Sequence, residues 1–119
     1  HIHLRSDDPT KTLAWYQDLF GGVSDKLKGR IDGLRYNDGL WLLVGQQGDG
    51  ELVPTAGRSF DHLGWEVDDL DAFIASLEGK GVELDFGPLE ITNSVGQNLK
   101  IAFVVSPEGV RIEIVEVVS

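Results

Sequence analysis

Apolar and polar residues alternate from His1 to Arg5, with Ile2 and Leu4 on one face and His1, His3 and Arg5 on the other. That period predicts a half-buried strand. Ser6-Asp7-Asp8-Pro9 then offers capping side chains and a first-turn proline. Leu13, Tyr16, Leu19 and Phe20 recur at helical spacing until Gly21-Gly22, so a helix is expected between cap and glycines. Arg30–Tyr36 and Leu40–Val44 flank Asn37-Asp38-Gly39, a composition typical of a hairpin turn.

From Gly45 to Arg58 periodicity is lost, and then the pattern restarts. Phe60–Val67 reads as a strand. Asp68-Asp69 precedes Leu70, Phe73, Ile74 and Leu77 at helical spacing, and Lys100–Val105 and Val110–Val118 flank Ser106-Pro107-Glu108-Gly109. At an offset of about 61, His1 meets His62, Asp7 meets Asp68, Asp8 meets Asp69 and Ala14 meets Ala75. The expected architecture is α+β: two tandem βαβββ modules, at 1–50 and 59–119, joined by a linker at 51–58. A sheet with a helix on one face leaves its other face to form a pocket. The polar stretch from Pro88 to Asn98 is expected to be a loop, with a lid as the sharper reading.

Charge narrows the function. Twenty Asp and Glu outweigh ten Lys and Arg, for a net charge of −10 over 119 residues; this argues against nucleic acid, whose phosphates need a concentrated basic face. No apolar run approaches the ~18 residues of a membrane span, so no membrane partner is expected. The absence of cysteine removes disulfides and thiolate chemistry. The chain opens on His1 and holds no methionine, so upstream residues are expected; no targeting segment is visible, which points to the cytoplasm.

The repeat gives three residues a reason to meet. His1 and His62 open equivalent strands. Glu113 shares a strand face with Arg111 and Val115, opposite Ile112 and Ile114. Two imidazoles and a carboxylate can hold a divalent metal with open positions, and Fe(II), Mn(II), Zn(II), Ni(II) and Co(II) all suit that set. On the face of His1, His3 is a candidate acid/base and Arg5 a candidate fork for a substrate carboxylate or phosphate. The plainer reading of Glu113 is a solvated face shared with Glu116 and Arg111.

The His1 strand, Asp7-Asp8-Pro9, Trp15-Tyr16, Leu19-Phe20-Gly21-Gly22, the block from Phe60 to Leu70, and Ser106-Pro107-Glu108-Gly109-Val110-Arg111-Ile112-Glu113-Ile114 together resemble the vicinal oxygen chelate superfamily. Its members include glyoxalase I, extradiol dioxygenases, fosfomycin-inactivating transferases and metal-free bleomycin-resistance proteins. The resemblance implies that His1, His62 and Glu113 match three metal-ligand positions, while the fourth falls on Leu43, unless Gln46 or Gln47 reaches in. It implies a homodimer in which His1 of one protomer faces the other's His62 and Glu113. The function it implies is a metal-dependent lyase/isomerase or dioxygenase acting on a small oxygen-rich molecule. The rival is a metal-free ligand-sequestering protein, for which an acidic chain suits a cationic ligand.

Overall fold

The computed structural model describes residues 1–37 and 39–119; Asp38, in the expected hairpin turn, lies outside the described residues. They divide into two compact units, His1–Leu52 and Val53–Ser119. The first contains β1 (Ile2–Ser6), α1 (Pro9–Phe20), β2 (Val23–Leu27), β3 (Ile31–Arg35) and β4 (Trp41–Gln46). The second contains β5 (His62–Glu66), α2 (Leu70–Gly79), β6 (Phe86–Thr92), β7 (Asn98–Val105) and β8 (Arg111–Val117). Each is a βαβββ module with one four-stranded sheet, ordered β1-β4-β3-β2 and β5-β8-β7-β6. In each sheet the first strand pairs in parallel with the last, and the remaining pairs are antiparallel.

The caps act as the sequence indicates. Asp8 accepts the Lys11 N–H at 3.2 Å, Pro9 occupies the first turn of α1, and the Gly21 N–H closes the helix on the Gln17 carbonyl at 2.9 Å. The buried face of α1 presents Thr12, Tyr16 and Leu19. On the strands it packs against, Leu4, Leu34, Leu42 and Val44 are buried. Thr12 also donates its hydroxyl to buried Ser6 at 2.6 Å, joining helix and strand through a satisfied polar pair. In the second unit Leu70 and Leu77 of α2 are buried, as are Ile112 and Ile114 of β8, the strand α2 packs on. Each such side chain contributes about 1.5–3 kcal/mol by leaving water.

Three features depart from the sequence reading. β2 and β6 are strands without an apolar period, because both are sheet edges that are exposed almost throughout. The candidate lid is therefore β6 followed by a tight turn, where the Asn93 carboxamide accepts the Val95 and Gln97 N–H groups at 3.1 and 2.9 Å. Pro88 is tolerated because β6 is an edge strand. Glu116, read beside Glu113 as a solvated face, lies on the helix side of β8 and accepts the Leu70 N–H at 2.8 Å. It caps α2 and does not share the face of Glu113.

Candidate functional site

β8 alternates cleanly: Ile112 and Ile114 are fully buried under α2, so Arg111, Glu113 and Val115 face the other side of the sheet. β5 pairs with β8 so that His62 lies beside Arg111 and Gly64 beside Glu113. The His62 ring turns toward Glu113, and its Nε2 stands 3.4 Å from Glu113 Oε2. Phe103 of β7 lies under both partners of the first pair: its ring meets His62 edge-on at 5.5 Å, and the Arg111 guanidinium rests 3.8 Å above it.

The other imidazole nitrogen, Nδ1, lies 2.6 Å from Asp61 Oδ2. A carboxylate can only accept, so Nδ1 carries a hydrogen, and in the neutral ring Nε2 then presents its lone pair toward Glu113. Asp61 is itself fixed. Its Oδ1 accepts the Gly57 N–H at 2.6 Å, and Arg111 Nη1 is 3.5 Å from Oδ2. The His62 hydrogen bond, and then that of Gly57, hold the Asp61 carboxyl below the usual carboxylate range. Arg111 also approaches Asp85 at 3.9 Å.

Residues 53–61 give this corner its rigidity. The Thr55 N–H donates to the Gly109 carbonyl at 3.0 Å; its hydroxyl donates to the Asp61 carbonyl at 2.7 Å and accepts the Arg111 N–H at 2.9 Å. Gly109 permits this approach: at φ +91° it adopts a conformation that L side chains avoid, and a Cβ there would meet Pro54 Cα at 3.2 Å. Part of the expected linker is thus laced to the start of β8.

In the first unit His1, His3 and Arg5 project from the same side of β1, although His1 itself precedes the strand. The His1 and His3 rings meet edge-to-face at 6.1 Å. His3 pairs with Leu43 and Arg5 with Gly45. Gly45 leaves the space both side chains use: a Cβ there would sit 3.0 Å from His3 Nε2 and 3.2 Å from Arg5 Nη1. Arg5 Nη1 donates to the Gln46 carbonyl at 3.0 Å. Leu43 beside His3 occupies the strand position that Glu113 beside Gly64 occupies in the second unit, and it is 1% exposed. Neither glutamine replaces it. The Gln46 amide donates to the Asp7 carbonyl and that of Gln47 to the Gly50 carbonyl, each at 2.9 Å.

Of the expected ligands, the structure brings His62 and Glu113 together in the second unit and places His1 beside His3 in the first. Among the described residues, no group of three or more His, Asp or Glu side chains is gathered as a metal cluster. Sequence reasoning assigned no role to Asp61, Phe103 or Arg111. The signal for Asp61 was present, a carboxylate directly before the histidine that opens a strand.

Comparisons bear on what this arrangement belongs to. The family model for the glyoxalase/bleomycin resistance protein/dioxygenase superfamily matches residues 1–114. No curated protein matches the sequence. A glyoxalase/dioxygenase from Nostoc punctiforme superposes with a TM-score of 0.76 at 18% identity, covering 100% of this chain and 90% of that one. A virulence protein from Salmonella typhimurium gives 0.75 at 19%, covering 99% and 96%. The fosfomycin resistance protein FosX from Listeria monocytogenes, complexed with Mn(II) and sulfate, gives 0.70 at 17%, covering 96% and 85%. With the two βαβββ modules and the match over nearly its whole length, the chain belongs to the glyoxalase/bleomycin resistance protein/dioxygenase superfamily.

Proposed function

We propose that the chain is a metal-dependent enzyme, a glyoxalase-like lyase/isomerase or an extradiol-type dioxygenase, acting on a small substrate that chelates the ion through neighbouring oxygens. The observation that carries this reading is the approach of His62 Nε2 to Glu113 Oε2 at 3.4 Å. A neutral imidazole nitrogen and a carboxylate facing one another repel unless a proton or a metal ion lies between them, and an ion satisfies both lone pairs at once. Bonds of about 2.0–2.2 Å to one ion place an imidazole nitrogen and a carboxylate oxygen about 3.4 Å apart at a tetrahedral angle. Charge agrees with this: Asp61 and Asp85 flank the Arg111 guanidinium and Glu113 stands beside His62, three carboxylates against one fixed cation. The Mn(II) bound by the FosX neighbour supports a divalent ion here.

In this reading His62 and Glu113 hold the ion, and His1, from the same chain or the partner of a homodimer, supplies the third ligand. When bound, the ion would polarise a substrate oxygen and stabilise the charge that develops on it. In the same reading His3 moves a proton. Arg5, held through Nη1, offers its remaining donors to a substrate carboxylate or phosphate.

The test is metal analysis of protein purified anaerobically without chelator or nickel affinity. About one ion per chain is expected, lost in His62→Ala while circular dichroism stays unchanged. Failure of both fresh protein and protein reconstituted with Fe(II), Mn(II), Zn(II), Ni(II) or Co(II) to hold an ion overturns the reading. One observation favours a metal-free ligand-binding protein: apolar Leu43 stands where Glu113 stands in the second unit. That reading requires His62→Ala to leave ligand affinity unchanged.

A further inference from the structure

Of the groups around His62, Asp61 touches no atom assigned to substrate or metal, yet it makes the shorter of the two His62 contacts, 2.6 Å against 3.4 Å. Asp61 Oδ1 is taken up by the Gly57 N–H, while Oδ2 faces the ring at 2.6 Å, much closer than its other neighbour, Arg111 Nη1 at 3.5 Å. The His62 side chain is 36% exposed. A neutral imidazole in water is free to carry its hydrogen on either nitrogen, and the hydrogen bond to one fixes which nitrogen keeps a lone pair. Here that bond is made on the side away from Glu113.

We propose that Asp61 is a positioning residue: anchored by Gly57 and Arg111, it holds the His62 hydrogen on Nδ1 and so presents Nε2, beside Glu113, as a preformed metal ligand. This rests on the reading of the site as a metal centre. It adds the residue that readies the ring before an ion arrives. Anchorage sets the precision. Asp61 receives the Gly57 N–H on one oxygen while the other faces His62, so its carboxylate is fixed in rotation and the ring inherits that orientation.

The test uses 15N-labelled, metal-free protein at about pH 8, with long-range 1H–15N correlations reporting which His62 nitrogen carries the hydrogen. His62→Ala identifies the resonances. Wild type and Asp61→Asn, whose carboxamide oxygen still accepts, are expected to show the hydrogen on Nδ1. Asp61→Ala is expected to move it largely to Nε2. Zn(II) titration should then show Asp61→Ala binding roughly 10–100-fold more weakly, with Asp61→Asn in between and the stoichiometry unchanged. An unchanged tautomer in Asp61→Ala overturns the proposal, as does a changed tautomer with wild-type Zn(II) affinity. Wild type that takes up no Zn(II) overturns the metal reading instead, and the tautomer comparison still decides the role of Asp61. Because Asp61→Asn is isosteric, loss of fold in Asp61→Ala alone leaves the Asn comparison to decide: wild-type tautomer and affinity together in that variant would show that the charge of Asp61 contributes nothing, against the intermediate binding expected.

Discussion

Two glutamates three residues apart on β8 should behave in opposite ways when altered. Glu116 accepts the Leu70 N–H at 2.8 Å, one of the first-turn donors of α2 that has no partner within the helix. Asp69 serves a second, the Ala72 N–H, at 2.9 Å. Leu70 is fully buried, so its amide cannot turn to water if Glu116 is removed. A hydrogen bond to a charged acceptor contributes about 1.5–3 kcal/mol, and a negative charge at a helix N-terminus about 0.3–1 kcal/mol. Glu116→Ala is therefore expected to destabilise by roughly 2–3 kcal/mol, and Glu116→Gln, which keeps an acceptor, by about half that. Glu113→Gln removes a carboxylate that faces an imidazole lone pair, and in metal-free protein its effect should stay within about 0.5 kcal/mol. Urea unfolding read by circular dichroism measures all three, with the slope against denaturant unchanged. Glu116→Ala within about 0.5 kcal/mol of wild type would refute the capping role. A loss at Glu113→Gln as large as that at Glu116→Ala would refute the division of β8 into a structural face and a site face.

Burial raises the Tyr36 hydroxyl to about 12. The native phenol thus keeps its proton where an unfolded tyrosine loses it, so stability present below pH ~10 declines as pH rises toward 12; absorbance titration near 295 nm should show a late-ionising phenol that is missing in Tyr36→Phe. Gly45→Ala should change stability by less than about 1 kcal/mol, because the atoms its Cβ meets are the ends of the His3 and Arg5 side chains; displaced His3 ring resonances with a retained melting temperature are the expected result. If protomers complete each other's sites, co-refolding His1→Ala with His62→Ala should restore metal to roughly a quarter of the sites, whereas sites built within one chain would recover none.

Much of this molecule is written in local chemistry. The capping aspartates, Gly21, and the alternation of Ile112, Glu113 and Ile114 each state their structural role within a few residues. The recurrence of His1 at His62 marks the two modules. β2 and β6 were not legible because an edge strand with little to bury carries no period, and Pro88 reads as a breaker until an edge accommodates it. The site was half legible. Strand parity selects the face of Glu113, but the lacing of Thr55 and Gly57 to Asp61 and Arg111 depends on pairings up to 56 residues apart. No window of sequence displays those.

The parallel pairing of β5 with β8 also orders events in time. Strand β8 lies between β5 and β7, so the second sheet cannot close until the ribosome has released the chain through Val117, whereas the first can close once Gln46 has emerged. The long loop between β5 and β8 makes that closure the slower of the two. Until then β5 and β7 expose unpaired edges, the period in which a nascent chain is most open to aggregation and chaperone capture. The same late strand brings Glu113 to His62 and Glu116 to α2. No partly synthesised chain therefore brings His62 to Glu113 on an unfinished fold, and the pair forms only when the second module can hold its own shape.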